Sequence, residues 1–148
     1  MIFNPTLDGT DPSGLGVVGS YFQWLSGTSK LDVDFVKNTF QLALNGTVTA
    51  PTFDTYTAPL TTVLPAGATF TASGQGNINL VNFGGFKGQF QSAAFASTAG
   101  NRTVNVAGST IDGAFYGPAG EEAGGAFHIV GGNPDERVDI LGAFVGKK

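Results

Sequence analysis

The chain has 148 residues, a formal net charge of −4 and only 12% charged residues, against 41% hydrophobic ones. That is enough apolar content for one domain with its own core, and the scattered lysines and arginines form no basic stripe of the kind nucleic acid requires. There is no Cys, which excludes a disulfide framework, a thiolate metal site and a lipid-anchor cysteine within these 148 residues. No apolar run reaches the ~20 residues of a membrane-spanning helix.

Residues 1–16 read as a linker or extended lead, because Asn4-Pro5, Asp8-Gly9, Asp11-Pro12 and Ser13-Gly14 are turn-forming pairs in close succession. This start has no basic or apolar signal region. A chain read as extracytoplasmic then implies a fragment whose export signal and upstream domains lie elsewhere. From residue 17 to 148 strand-like runs alternate with turn signals. The eight predicted strands are 17–25, 30–36, 39–48, 68–75, 86–96, 103–116, 124–130 and 140–146. The second and third form a hairpin across Lys37-Asn38, and a long polar loop covers 50–66.

Several of these runs alternate with period two. Leu31, Val33 and Phe35 oppose Asp32 and Asp34; Phe40, Leu42 and Leu44 oppose Gln41, Ala43 and Asn45; Phe86 and Phe90 oppose Lys87, Gln89 and Gln91. A sheet of such strands buries one face, and closing it into a barrel also removes its edges. The fold class is therefore all-β, a single eight-stranded antiparallel β-barrel after an extended N-terminal lead. The 13 Phe suit a filled interior and many of the 23 Gly suit the bends of a coiled sheet. One helical turn is expected at 118–123, with Pro118 at its first position and Glu121 and Glu122 near its N-terminus.

The stretch from Gly113 to Phe127 is the most specific. It reads Gly-x-Phe-Tyr-Gly-Pro through Gly113, Phe115, Tyr116, Gly117 and Pro118. An acidic turn follows at Glu121-Glu122, then Gly-Gly-x-Phe at Gly124, Gly125 and Phe127. This pattern resembles the C-terminal β-barrel of transferrin-binding protein B and related surface lipoproteins of Gram-negative bacteria. The hairpin 31–44 is similar to that family's second and third barrel strands, and 142–148 to its closing strand. Ala119-Gly120 and Ala123 depart from the usual pattern within the turn. The resemblance implies a non-catalytic ligand-binding module of a bacterial surface or secreted protein, extracytoplasmic or on the outer membrane. It implies iron or haem acquisition, with haem, a host iron or haem protein, or another host protein as partner. Relatives bind transferrin, haem, haemoglobin or complement factor H, so the ligand is set by loops grafted on the barrel.

His128, the single histidine, and Tyr116 are the candidate haem contacts. The competing reading of His128 is a solvent-facing barrel residue, since Phe127 and Ile129 hold the better core face. Tyr56, in the long loop, is the candidate partner contact. Tyr21 and Trp24 stand three apart, so at most one faces the core. Gly14, Gly16 and Gly19 match a dinucleotide fingerprint but lack the strand before and the helix after. Asp32 and Asp34 read as a solvated strand face, and Glu121-Glu122 and Asp135-Glu136-Arg137 as loop polarity. Asp8 and Asp11 lack the ordered spacing of a calcium loop. No nucleophile–base pair or metal constellation is visible, so no enzyme is expected. The rival readings are a structural or adhesive terminal barrel of a larger surface protein, associating through outward apolar residues such as Val36, Ala93, Leu141 and Val145, and a lipocalin-like carrier, which a crowded Phe interior opposes.

Overall fold

The computed structural model describes residues 2–4, 21–53, 63–82, 84–133 and 136–147, with backbone alone at a few strand positions. In chain order the strands are β1 (Ile2–Asn4), β2 (Tyr21–Gln23), β3 (Leu25–Asp34), β4 (Thr39–Val48), β5 (Thr52–Phe53), β6 (Thr69–Asn79), β7 (Gly85–Ser97), β8 (Gly100–Thr103), β9 (Thr110–Tyr116), β10 (Glu122–Asn133) and β11 (Glu136–Lys147). All pairings are antiparallel, in the order β3-β4-β6-β7-β9-β10-β11-β1-β2-β5, with β8 on β7. The sheet curls into a nearly closed barrel, the architecture that the patterning predicts.

Four details differ from the sequence reading. Ile2–Asn4, inside the expected lead, is a strand: Ile2 is fully buried and pairs with Ile140 on one side and Gln23 on the other. Residues 25–34 are one continuous strand paired with β4 from Leu25↔Val48 to Asp34↔Thr39, so the break expected at 26–29 does not occur. The run 103–116 is split by a turn, and only Thr110–Tyr116 continues the barrel. No helix occurs among the described residues. At 118–123, Gly117 and Gly120 take φ of 84° and 65°, left-handed values that end any α-turn. Gly120 N–H donates to Gly117 O at 3.1 Å, and Glu121 Oε2 accepts from Ala119 N–H instead of capping a helix.

The core is built from Phe set against Gly. Six buried Phe face a Gly directly across the ladder: Phe70–Gly46, Phe40–Gly76, Phe90–Gly74, Phe86–Gly113, Phe127–Gly142 and Phe144–Gly125. A narrow barrel has no room for two large side chains at one level, so each ring lies over the bare backbone of its partner. A Cβ on Gly113 would run into the Phe86 ring, and one on Gly142 into the Phe127 ring. Phe86 also packs on Phe40 at 4.9 Å and Phe115 at 5.1 Å between centroids, within the range of favourable ring contacts.

Two buried polar side chains repair places where the ladder fails. β7 leaves β8 for β9 between Phe90 and Ala93, and there the Phe90 N–H donates to Ser109 Oγ at 2.9 Å. Gln23, fully buried, donates through Nε2 to Thr49 O and Leu64 O, both at 2.9 Å, and its Oε1 accepts from Leu64 N–H at 3.1 Å. It pins both ends of the connection between β4 and β6 to the barrel wall.

Candidate functional site

Strands of a meander alternate in direction, so its connections sort to two ends. The turns 35–38 (β3–β4), 80–84 (β6–β7) and 117–121 (β9–β10) share one end with the close of β11. The connections 49–68 and 98–109, the longer ones, share the other end with the step from β10 to β11. Short turns at the first end are held internally. Asp34 Oδ1 accepts from Val36 N–H at 3.0 Å and Lys37 N–H at 2.9 Å, and Asn38 takes a φ of 54°. The Lys37 backbone N–H and then its ammonium hold the Asp34 carboxyl below the ordinary value of 3.8. Ile78 N–H donates to Asn38 O at 2.8 Å, tying this turn to β6.

This turn end is apolar. Among the described residues, seven large hydrophobic side chains are exposed, and six of them lie here: Phe35, Val36, Leu80, Val81, Tyr116 and Val145. Val36 and Val81, at the tips of neighbouring turns, are 93% and 94% exposed. Phe35 reaches across the barrel mouth to Phe115, with centroids 5.3 Å apart, and so joins the surface group to the ring stack of the core. Two ion pairs flank it: Lys37 Nζ lies 3.2 Å from Asp34 and Lys147 Nζ 3.6 Å from Glu122. Single exposed apolar residues are ordinary, but six aromatic, branched and aliphatic side chains gathered at one end of the barrel make that end a candidate interaction surface.

The residues singled out in the sequence do not form one site. Tyr116 is 55% exposed at the turn end. His128 lies six residues further along β10 than Glu122, the partner of Tyr116, which separates the two by about 20 Å at ~3.3 Å per residue. They cannot hold one iron atom together. His128 Nε2 stands 4.0 Å from Asp139 Oδ2, a carboxylate that is almost fully buried, while the His128 side chain is 35% exposed. Phe127 and Ile129 on either side of it are buried, as the alternation predicts. Tyr56 lies outside the described residues, as do Asp8 and Asp11. Tyr21 is 2% exposed and Trp24 58%, so Tyr21 is the one that enters the core. Ala93, expected to face outward, is buried at 1%. A bulged register between β6 and β7 at Ser73/Gly74 shifts the strand alternation there, and strict alternation along the sequence cannot register it. Asp32 pairs with Lys30 at 2.8 Å on the solvated face.

The sequence reading named Val36 and Val145 as outward apolar residues but not Leu80 and Val81, which sit in a turn outside any periodic run, nor the single end these side chains share. The signal available was an apolar pair at a hairpin tip: Phe35-Val36 before Lys37-Asn38, and Leu80-Val81 before Asn82. No group of three or more metal-ligating side chains occurs among the described residues.

Residues 19–148 match the family described as C-lobe and N-lobe beta barrels of Tf-binding protein B. No curated protein and no solved structure matches the chain.

Proposed function

Because the chain belongs to the family of C-lobe and N-lobe beta barrels of transferrin-binding protein B, we propose that it is a non-catalytic binding module of a Gram-negative cell surface, with a host iron protein of the transferrin type as its partner. The observation that carries the choice of surface is the turn end. Six exposed apolar side chains lie at one barrel mouth, Phe35, Val36, Leu80 and Val81 on short turns and Tyr116 and Val145 on the ends of β9 and β11, and the turn of Phe35 and Val36 is braced by hydrogen bonds and by the Phe35–Phe115 contact. A braced surface loses little conformational entropy on binding. Lys37 pairs with Asp34 and Lys147 with Glu122, so recognition rests chiefly on apolar and aromatic contact with a rim of polar groups, the usual anatomy of a protein interface.

Biolayer interferometry of the full chain against iron-loaded and iron-free transferrin tests this. Wild type binds, and the double variant Val36→Asp, Val81→Asp weakens binding by about tenfold or more while Tm changes little, since both side chains are in solvent. His128→Ala leaves this binding unchanged. Absence of wild-type binding to either form removes the transferrin reading. Haemin titration then reads the haem alternative, which requires a saturable Soret shift lost in His128→Ala or in Tyr116→Phe. A stable oligomer dispersed by Val36→Asp, Val81→Asp would instead make the same surface a self-association face and the chain a structural or adhesive barrel.

A further inference from the structure

Four carboxamides meet on the outer wall of the barrel. The chain has five Gln. Gln23 is the buried brace; the other four, Gln41, Gln75, Gln89 and Gln91, are exposed and lie together on β4, β6 and β7. Gln41 stands directly opposite Gln75, and Gln75 directly opposite Gln89. Gln91 is the extra residue of the bulge, with no partner on β6, because Gly74 pairs with Phe90 and Ser73 with Ser92. Bulges re-aim side chains, and this one turns Gln91 and Ser92 outward together, where Ser92 Oγ lies 2.8 Å from Ser73 Oγ. The amides line two depressions, of about 510 and 240 Å³, and Gln41, Gln75 and Gln91 border both.

We propose that this patch binds a neutral polysaccharide chain laid across β4, β6 and β7. Each carboxamide carries one acceptor oxygen and an NH2 donor, which neighbouring hydroxyls of a sugar answer in kind. No described residue hydrogen-bonds any of these four side chains, so all of that capacity faces outward. Strands stand ~4.8 Å apart. The row Gln41–Gln75–Gln89 therefore repeats at close to the length of one sugar ring, and successive rings of a chain meet successive amides. Charge argues for a neutral ligand. Asp32, opposite Gln41, pairs with Lys30 at 2.8 Å, and Lys87 pairs with Asp112 at 3.2 Å. No cationic stripe is left for a nucleic acid or another polyanion. Composition argues against a protein. All seven exposed large hydrophobic side chains of the described residues lie elsewhere, so the patch lacks the aromatic and apolar anchors of a protein interface. This assignment is independent of the surface proposed for transferrin.

The side-chain NH2 signals of Gln in the 15N-labelled full chain read the patch directly, with the buried Gln23 as internal control. The chain is titrated with maltoheptaose, cellohexaose and mannohexaose and, as a charged counterpart, with a heparin hexasaccharide. The expected result is a saturable shift of the four exposed Gln signals with at least one neutral oligosaccharide, while Gln23 stays in place. The double variant Gln41→Ala, Gln75→Ala binds about tenfold more weakly or worse. Its unfolding stays cooperative, since both side chains are in solvent. If that variant does not fold, the shift map of the wild type decides alone. The transferrin variant Val36→Asp, Val81→Asp keeps the saccharide response. No saturable shift with any of the three neutral oligosaccharides, or tighter binding of the heparin fragment, overturns the proposal. Equal shifts of exposed Asn and Gln signals over the whole surface overturn it as a co-solute effect. Transferrin that moves these four signals where the saccharides do not overturns it too, by making the patch a protein interface.

Discussion

Gln23 shows how much one side chain decides here. It is a fully buried amide whose three hydrogen bonds serve Thr49 and Leu64, residues 26 and 41 positions away in the chain. Nothing in a strand pattern announces it, since Gln23 sits between Phe22 and Trp24 and would pass for a wet-face residue. Its worth lies in what it leaves behind when removed: two carbonyls and one N–H in a dry setting. Gln23→Leu is expected to keep the volume and lower stability by about 2 kcal/mol or more, read from urea unfolding. Ser109 is the same device at smaller scale, a hydroxyl standing in for the ladder partner that Phe90 lacks.

At the scale of elements, the rule is Phe opposite Gly across adjacent strands. Composition made both residues conspicuous, and the reading of Phe as interior and Gly as accommodation holds. The pairing could not be read along the sequence, because register joins residues as far apart as Phe86 and Gly113. It carries a prediction in two directions. Gly113→Ala drives a methyl into the Phe86 ring and is expected to cost about 1–3 kcal/mol by overpacking. Phe86→Ala empties the centre of the ring stack and is expected to cost about 3–5 kcal/mol. If thermal unfolding showed Gly113→Ala to be neutral, ring-over-glycine packing would not be what sets the barrel's width. The turn 117–120 follows the same logic at an element boundary, where two left-handed glycines override the helical turn that Pro118 and the glutamates suggest.

Taken whole, the molecule is a curled sheet whose centre and seam differ in support. β6 and β7 have a neighbour on each side along most of their length, while β3 has a ladder only with β4. Local opening starts where the fewest contacts must break. Amide hydrogen exchange on the free chain is therefore expected to show the slowest exchange in β6 and β7 and earlier exchange along β3. Equal protection in β3 and β7 would mean that the seam is closed in solution. The exposed apolar side chains follow the same geometry, six of the seven described lying at the turn end.

The sequence by itself determined the all-β class, the barrel and the family, because alternation in 31–44 and 86–91 and the Gly113–Phe127 pattern are local signals. It also placed Phe127 and Ile129 inward and allowed at most one of Tyr21 and Trp24 in the core. Only the tertiary structure decided that Ile2–Asn4 enters the wall, that Ala93 is buried past a bulge, that His128 and Tyr116 stand about 20 Å apart at ~3.3 Å per residue, and that two separate turns and the end of β9 bring Val36, Val81 and Tyr116 to one mouth. Each of those depends on register and on strand direction, which are properties of pairs of strands. A periodic pattern tells which face of a strand is apolar, but not which other strand stands beside it or which end of the sheet its turns will share.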